Sequence, residues 1–174
     1  PHFVFSSTAA VYGTPAEAEP VLETNPLNPE SPYGSSKLMT ETMLRDASNA
    51  YDFTYTALRY FNVAGADPKG RTGQSTVGAT HLIKVAGEAA LGKRSHIDVF
   101  GTDYPTHDGT CVRDYIHVSD LANAHLKALQ RMRAGGGSMV ANCGYGRGFS
   151  VLEVLETVKK VHGKDFDIRL AGRR

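Results

Sequence analysis

The chain has 174 residues, 41% of them hydrophobic, which is enough for one compact core. Its 19 basic and 18 acidic residues are spread along the sequence, which excludes a basic patch for nucleic acid, and no apolar run reaches the ~20 residues of a membrane span. Cys111 and Cys143 fit neither a disulfide framework nor a tetrahedral metal pattern, so we expect a protein of the reducing cytoplasm without a bound metal.

The first predicted element is a buried strand at residues 3–5, an apolar run bounded by Ser6 and Ser7. A strand buried on both faces needs a neighbour on each side. We therefore expect this run to lie inside a parallel sheet whose earlier strands are absent. The prolines between residues 13 and 32 are too frequent for a helix or a strand and predict a loop.

A helix and a second strand are predicted next. Ser31 can cap a helix over residues 33–50, and Pro32 suits its first turn. The apolar stripe of this helix is predicted to carry Leu38, Met39 and Met43. Residues 53–61 predict a strand that ends at Asn62. A strand, a helix and a strand in this order predict a right-handed parallel unit.

The remainder of the chain predicts a mixture of helices and strands. Ser119 or Asp120 can cap a helix that runs to about Met132, and Ser150 with Glu153 makes a capping box for a later helix. Another helix is predicted over about 79–91, and short strands are predicted at 97–100, 115–118, 138–142 and 166–170.

The motif that carries chemistry is Tyr33-Gly34-Ser35-Ser36-Lys37. Its spacing sets a phenol and an ammonium about 5 to 6 Å apart on one helix face. A fixed positive charge nearby favours the phenolate, so Tyr33 can act as a base, although a plain surface pair has the same spacing. Thr8 follows the first strand at the edge where open α/β sheets bind ligands, and its hydroxyl can meet the pair there.

These motifs resemble those of the extended short-chain dehydrogenase/reductase family. The similar stretches are Ser-Ser-Thr-Ala-Ala-Val-Tyr-Gly at 6–13, Ser-Pro-Tyr-Gly-Ser-Ser-Lys at 31–37 and Arg-Tyr-Phe-Asn at 59–62. The long stretch 100–122 resembles, within that family, the UDP-glucose 4-epimerase branch. The resemblance implies an α/β fold with a partial Rossmann-like parallel sheet and a smaller mixed α/β substrate-binding lobe.

The resemblance also implies a division of the chain. Residues 1–62 would form the C-terminal portion of a dinucleotide-binding domain. Residues 63–174 would be mainly the sugar-nucleotide-binding lobe, with about 76–92 and 113–143 returning to the dinucleotide fold.

The implied activity is NAD-dependent 4-epimerisation of a UDP-hexose, such as UDP-galactose or UDP-glucose, through a transient 4-keto sugar in galactose metabolism. Tyr33 would remove the O4 proton while NAD takes the C4 hydride, Lys37 would stabilise the phenolate, and Thr8 would hydrogen-bond O4. The implied cofactor contacts are Thr8, Tyr33, Lys37 and Phe61. The implied UDP-sugar contacts are Thr8, Asn62, His81, Leu82, Val99, Phe100, Arg113 and Arg174.

Two alternatives stay open. An NAD-dependent sugar-nucleotide dehydratase or decarboxylase shares the fold and the Tyr-x-x-x-Lys motif. Ala9 and Ala10, however, stand at the positions where the dehydratases carry an acid and a base. A non-catalytic fragment is the other alternative, because no Gly-rich turn for the pyrophosphate precedes Pro1. We therefore expect the chain alone to bind NAD poorly and to be weakly active or inactive. A homodimer through the Tyr33 helix is a further expectation.

Overall fold

The computed structural model describes residues 1–15 and 20–173 and divides the chain into two compact units. The first unit comprises Pro1–Val63 and Ile116–Gly146, and the second comprises Ala64–Tyr115 and Arg147–Arg174. Each unit is therefore assembled from two separate stretches, and the chain passes between the units three times.

The chain contains both strands and helices throughout its length, which confirms the α/β prediction. In chain order the elements are β1 (His2–Thr8), a 3₁₀ turn (Ala9–Val11), α1 (Pro32–Ala50), β2 (Thr54–Tyr60), β3 (Asn62–Ala64), α2 (Leu82–Ala90), β4 (His96–Phe100), β5 (Val112–His117), α3 (Val118–Arg133), β6 (Met139–Cys143), β7 (Gly148–Ser150), α4 (Val151–His162) and β8 (Asp167–Ala171). Within the described part of the chain, no helix is both long and apolar enough to cross a membrane.

The first unit is built on a parallel sheet in the order β1-β2-β6. Successive side chains of a strand point to opposite faces of a sheet. Ser6 bonds to His125 of α3 at 3.0 Å, whereas Ser7 donates a hydrogen bond to Glu41 of α1, so the two helices lie on opposite faces. The α3 face holds an apolar core formed by Leu58, Ile116, Leu121, Ala128 and Cys143.

The predicted strand, helix and strand of the first unit are confirmed. One detail of α1 is wrong: Met39 and Met43 are 63% and 62% exposed, and the buried positions of the helix are Gly34 and Glu41. The inward face of α1 is polar because Glu41 has a charged partner inside the unit. Of the predicted apolar stripe, only Leu38 is half-buried.

The second unit has its own apolar core. Strands β4 and β8 pair in parallel, with Ile97 beside Ile168, and β5 pairs antiparallel with β7. Helices α2 and α4 pack on the β4 and β8 pair through an apolar core. This core consists of Ala86, Ala89, Ile97, Val99 and Leu155. The predicted capping box at the start of α4 is confirmed, since Ser150 and Glu153 bond to each other's amides.

The start of α3 differs from the prediction. The helix begins at Val118, and its cap is His117, whose Nδ1 accepts a hydrogen bond from the Ser119 amide at 3.2 Å. Neither Ser119 nor Asp120 is the cap, because both already lie in the first turn. A histidine ring nitrogen supplies the acceptor that a serine or aspartate oxygen usually provides.

Candidate functional site

Tyr33 lies in the first turn of α1, and local hydrogen bonding fixes that turn. Ser31 precedes the helix in an extended conformation, and its side-chain oxygen accepts a hydrogen bond from the Gly34 amide at 3.1 Å. The serine thus satisfies an amide that lacks a partner within the helix, and Pro32 has no amide to satisfy. The Tyr33 side chain is 53% exposed, so a ligand can reach its ring.

Lys37 lies one turn after Tyr33, and the structure brings the two side chains together. Its Nζ is 5.8 Å from the centre of the Tyr33 ring and 5.1 Å from the centre of the Phe5 ring. The ammonium also donates a hydrogen bond to the main-chain oxygen of Ser6 at 3.0 Å. This bond holds the ammonium against β1, and its remaining N–H groups can donate to a ligand.

Thr8 ends β1 and is buried. Its Oγ1 accepts a hydrogen bond from the Ala10 amide at 3.2 Å and so caps the 3₁₀ turn that follows the strand. The bond fixes the side chain of Thr8 at the carboxyl end of β1. Whether the same hydroxyl also serves a reaction stays a prediction.

Phe61 and Asn62 follow β2 at the same edge of the sheet. The register sets Thr8 beside Tyr60, so the residues just after Tyr60 lie near the carboxyl end of β1. The Phe61 amide donates to the main-chain oxygen of Cys143 at 3.4 Å, and Asn62 is exposed. Ligands of open α/β sheets bind at this edge, so the predicted residues of the first unit share a suitable location.

The second unit contains five further residues predicted to contact the nucleotide. His81 is the exposed N-cap of α2, without a side-chain capping bond, and Leu82 packs on the core of the unit. Val99 is 1% exposed and belongs to the apolar core of the second unit. Phe100 and Arg113 are exposed at the end of β4 and in β5. Their roles in binding stay predictions.

Arg174 lies outside the described residues, but its neighbour Arg173 belongs to an exposed polar cluster. Arg173 Nε donates to Asp103 Oδ1 at 2.8 Å, and its guanidinium lies 4.1 Å from the centre of the Tyr104 ring. The hydrogen bond from Arg173 lowers the pKa of the Asp103 carboxyl. The cluster borders a cavity of about 480 Å³ lined by Gly101, Thr102, Asp103, Leu170, Ala171, Gly172 and Arg173.

A buried ion pair joins α1 to the sheet of the first unit. Arg59 Nη2 lies 2.5 Å from Glu41 Oε2, and its Nε donates to both carboxylate oxygens at 3.0 and 3.2 Å. The Ser7 hydroxyl donates to Glu41 Oε1 as well. Both charged side chains are 5% exposed, so the pair is removed from water.

The ion pair continues into a chain of hydrogen bonds. Arg59 Nη1 donates to Tyr12 Oη at 2.9 Å, and Tyr12 Oη donates to Asn142 Oδ1 at 2.7 Å. Burial opposes the charge of Arg59, but the hydrogen bonds with Glu41 and Tyr12 outweigh it and raise the pKa of the guanidinium. None of these residues is among the predicted site residues. The available signal is Arg59 itself, a charged residue inside a strand whose interior is buried throughout.

The described residues contain no group of three or more His, Cys, Asp or Glu side chains able to hold a metal ion. Cys111 and Cys143 are free thiols, and burial raises the pKa of the Cys143 thiol.

Comparison with known proteins identifies close relatives. The chain is 62% identical over 171 residues to the UDP-glucose 4-epimerase of Azospirillum brasilense. This alignment covers 98% of the chain and 49% of the relative. The UDP-glucose 4-epimerase of Brucella ovis in complex with NAD superposes with a TM-score of 0.94 at 43% identity, over 99% of this chain and 53% of the other. The enzyme of Bifidobacterium longum in complex with NAD⁺ and UDP gives 0.92 at 40% identity, over 99% and 52%.

The chain spans about half the length of the relatives it matches. The model of the NAD dependent epimerase/dehydratase family matches residues 1–144, which include α1, the parallel sheet of the first unit and the Tyr33 and Lys37 pair. The chain therefore belongs to the NAD dependent epimerase/dehydratase family.

Proposed function

We propose that the chain carries the proton-transfer residues of an NAD-dependent UDP-hexose 4-epimerase. The observation that carries the proposal is the Tyr33 and Lys37 pair, with the ammonium 5.8 Å from an exposed phenol ring at the carboxyl edge of the parallel sheet. The proposal is further supported by relatives whose names describe UDP-glucose 4-epimerases.

Tyr33 transfers the proton of the sugar hydroxyl in this proposal. Its oxygen takes the proton from O4 as C4 is oxidised to a 4-keto sugar, and it returns the proton when C4 is reduced on the opposite face. Lys37, whose ammonium lies 5.8 Å from the centre of the Tyr33 ring, is the charged partner of Tyr33 in this proposal. A positioned base of this kind contributes about 10²- to 10⁴-fold to a rate. Thr8 donates or accepts a hydrogen bond at O4.

The donor set at this edge fits the sugar end of NAD. The Lys37 ammonium has one of its N–H groups on the Ser6 oxygen, which leaves donors for ribose hydroxyls, and Tyr33 is accessible. Phe61 contacts the cofactor in this proposal. NAD, when bound, supplies the reversible hydride acceptor that the C4 oxidation needs.

The second unit supplies contacts to the nucleotide of the substrate in this proposal. Arg113 and Arg174 grip the diphosphate, because a planar guanidinium matches phosphate oxygens bidentately. His81 and Phe100 contact the nucleotide with their side chains. The division into a dinucleotide-binding portion at 1–62 and a mainly sugar-nucleotide-binding lobe at 63–174 is part of the proposal.

Dehydration is the weaker alternative. Ala9 and Ala10 form the 3₁₀ turn directly after Thr8, and their methyl groups cannot transfer protons. The residues of this turn therefore favour epimerisation over dehydration.

Three further expectations belong to the proposal. The exposed Met39 and Met43 on α1 are consistent with a homodimer through this helix. The free thiols of Cys111 and Cys143 are consistent with the cytoplasm. A role in galactose metabolism follows if UDP-galactose is the substrate.

The experiment places this chain in a complete enzyme. In the Azospirillum brasilense relative, the aligned segment is replaced by this chain, and the product is called the chimera below. The chimera is expected to convert UDP-galactose to UDP-glucose, and Tyr33→Phe is expected to lower its rate by about 10²- to 10⁴-fold, because the proton acceptor is lost. The chain alone is assayed in parallel with added NAD and is expected to be weakly active or inactive.

Tyr51→Phe is the matched control, since Tyr51 is the exposed C-cap residue that directly follows α1, and the change should leave the rate unchanged. A chimera that folds and forms no UDP-glucose, or one in which Tyr33→Phe keeps the full rate, contradicts the proposal. Formation of a 4-keto-6-deoxy sugar would favour the dehydratase alternative instead.

A further inference from the structure

Glu41 occupies the same face of α1 as the two residues of the proposed reaction. Tyr33, Lys37 and Glu41 are spaced four residues apart, and residues at this spacing stack along one side of a helix. Lys37 is bonded to the main chain of β1. Glu41 is bonded to side chains of β1 and β2 one turn later. The site residues and the carboxylate thus form one continuous row.

The bonds at Glu41 leave the carboxylate little freedom. One oxygen accepts from Ser7 and from Arg59 Nε, and the other accepts from Arg59 Nη2 and Nε. A guanidinium that grips a carboxylate through two nitrogens fixes the relative orientation of the groups as well as their distance. Rotation or sliding of α1 along the sheet would break several of these bonds at once.

Arg59 is itself held from the other side. The register of the sheet sets Ser7 beside Arg59 and Arg59 beside Asn142, so these three side chains form a row across β1, β2 and β6. Tyr12 bridges Arg59 and Asn142 through its hydroxyl. The partner of Glu41 is therefore fixed to the whole parallel sheet of the first unit.

Stability alone does not account for this arrangement. A buried ion pair often contributes no more to stability than well-packed apolar residues of similar volume, because removing two charges from water is costly. What the ion pair adds is a fixed position of α1 along the sheet. Apolar side chains would hold α1 on the sheet without fixing its register.

We infer that Glu41 is a positioning residue, which acts through Arg59 to hold Tyr33 and Lys37 at the carboxyl edge of the sheet. The inference rests on the proposed function of Tyr33 and Lys37. It assigns no contact between Glu41 and a substrate or cofactor.

The test separates stability from position. In the double variant Glu41→Leu with Arg59→Leu, the apolar pair is expected to keep the chimera folded, with a melting temperature lowered only by the loss of the acceptor for the buried Ser7 hydroxyl. The same variant is expected to lower kcat by about 10-fold or more with little change in KM, because a displacement of about 1 Å at a reacting group can cost ~10²-fold. Asp46→Asn is the matched control, since Asp46 is an exposed carboxylate on the same helix.

A second readout reports position directly in the 174-residue chain. The end of the Lys37 side chain lies beside the Phe5 and Tyr33 rings, whose ring currents shift its proton resonances. NMR of the double variant is expected to show at least half of this shift lost, whereas Asp46→Asn should keep it. This measurement needs no enzyme activity, so it tests the inference even if the chimera is inactive and the proposed function fails.

A stable double variant with unchanged kcat and unchanged Lys37 resonances would overturn the inference. If the double variant does not fold, Glu41→Gln decides, because it keeps the size of the side chain and removes the charge. A folded Glu41→Gln variant with reduced kcat and shifted Lys37 resonances supports the inference. Wild-type values for both would refute it.

Discussion

Replacing Gly34 by alanine should move the first turn of α1. Gly34 is buried, and a Cβ at this position would lie 2.6 Å from the main-chain oxygen of Ala10 and 3.0 Å from Pro29 Cβ. Ordinary contact begins at 3.4 Å, so the two segments must separate by about 0.8 Å, the difference between these distances. The Ala10 oxygen belongs to the main chain and cannot rotate away. Tyr33, the preceding residue, would move with the turn.

The stability of the variant follows from two opposing effects. Overpacking of a well-packed site costs about 1–3 kcal/mol, and the better helix propensity of alanine offsets about 0.5–1 kcal/mol. Gly34→Ala should therefore destabilise the chain by about 1 kcal/mol, within a range of about 0–2.5 kcal/mol, in urea unfolding. A displacement approaching 1 Å should also lower the rate of the chimera by up to about 10²-fold.

Gly87 provides the control, because it also lies in a helix and a Cβ there would meet no atom within 4 Å. Gly87→Ala should stabilise the chain by about 0.5–1 kcal/mol and leave the rate of the chimera unchanged. If Gly34→Ala is as stable as Gly87→Ala, or keeps the full rate, the close approach of α1 to Ala10 does not restrict the helix as argued.

Two further predictions concern a helix cap and a titrating carboxylate. Ser31→Ala should cost about 1 kcal/mol in urea unfolding, because the Gly34 amide loses its acceptor, and an unchanged midpoint would count against the cap. Burial raises the pKa of Asp108, but hydrogen bonds from Ser150 and Thr110 outweigh it and lower the pKa below its usual value of 3.8. Because the folded pKa is depressed, this stabilisation is complete above the unfolded pKa and is lost as the pH falls through the folded pKa. The stability gap between wild type and Asp108→Asn should therefore be smaller at about pH 2 than at about pH 6, and a gap independent of pH would contradict the assignment.

Local signals in the sequence were sufficient for much of the fold and for the proximity of Tyr33 and Lys37. Ser31 before Pro32, and Ser150 with Glu153, mark two helix starts because capping depends on residues within one turn. Tyr33 and Lys37 are likewise within one turn, so their spacing alone places them on the same helix face. Predictions of this kind succeed because the interaction is contained within the motif.

Long-range partners were not predictable from the same signals. Ser7 and Glu41 are 34 positions apart, and Tyr12 and Asn142 are 130 positions apart, so no local pattern connects them. The same limit explains the error on α1. Met39 and Met43 were expected to be buried because they are apolar, whereas Glu41 is buried because of a partner on another strand.

The discontinuous make-up of each unit bears on how the protein can be synthesised and dissected. The Tyr55 amide bonds to Ser138 across 83 positions, where β2 meets β6. A ribosome must therefore translate most of the second unit before the third strand of the parallel sheet emerges, and contacts of such high sequence separation slow folding. A single contiguous gene segment cannot encode either unit by itself. Splitting the protein at Val63 would therefore separate β1 and β2 from β6, their partner in the parallel sheet.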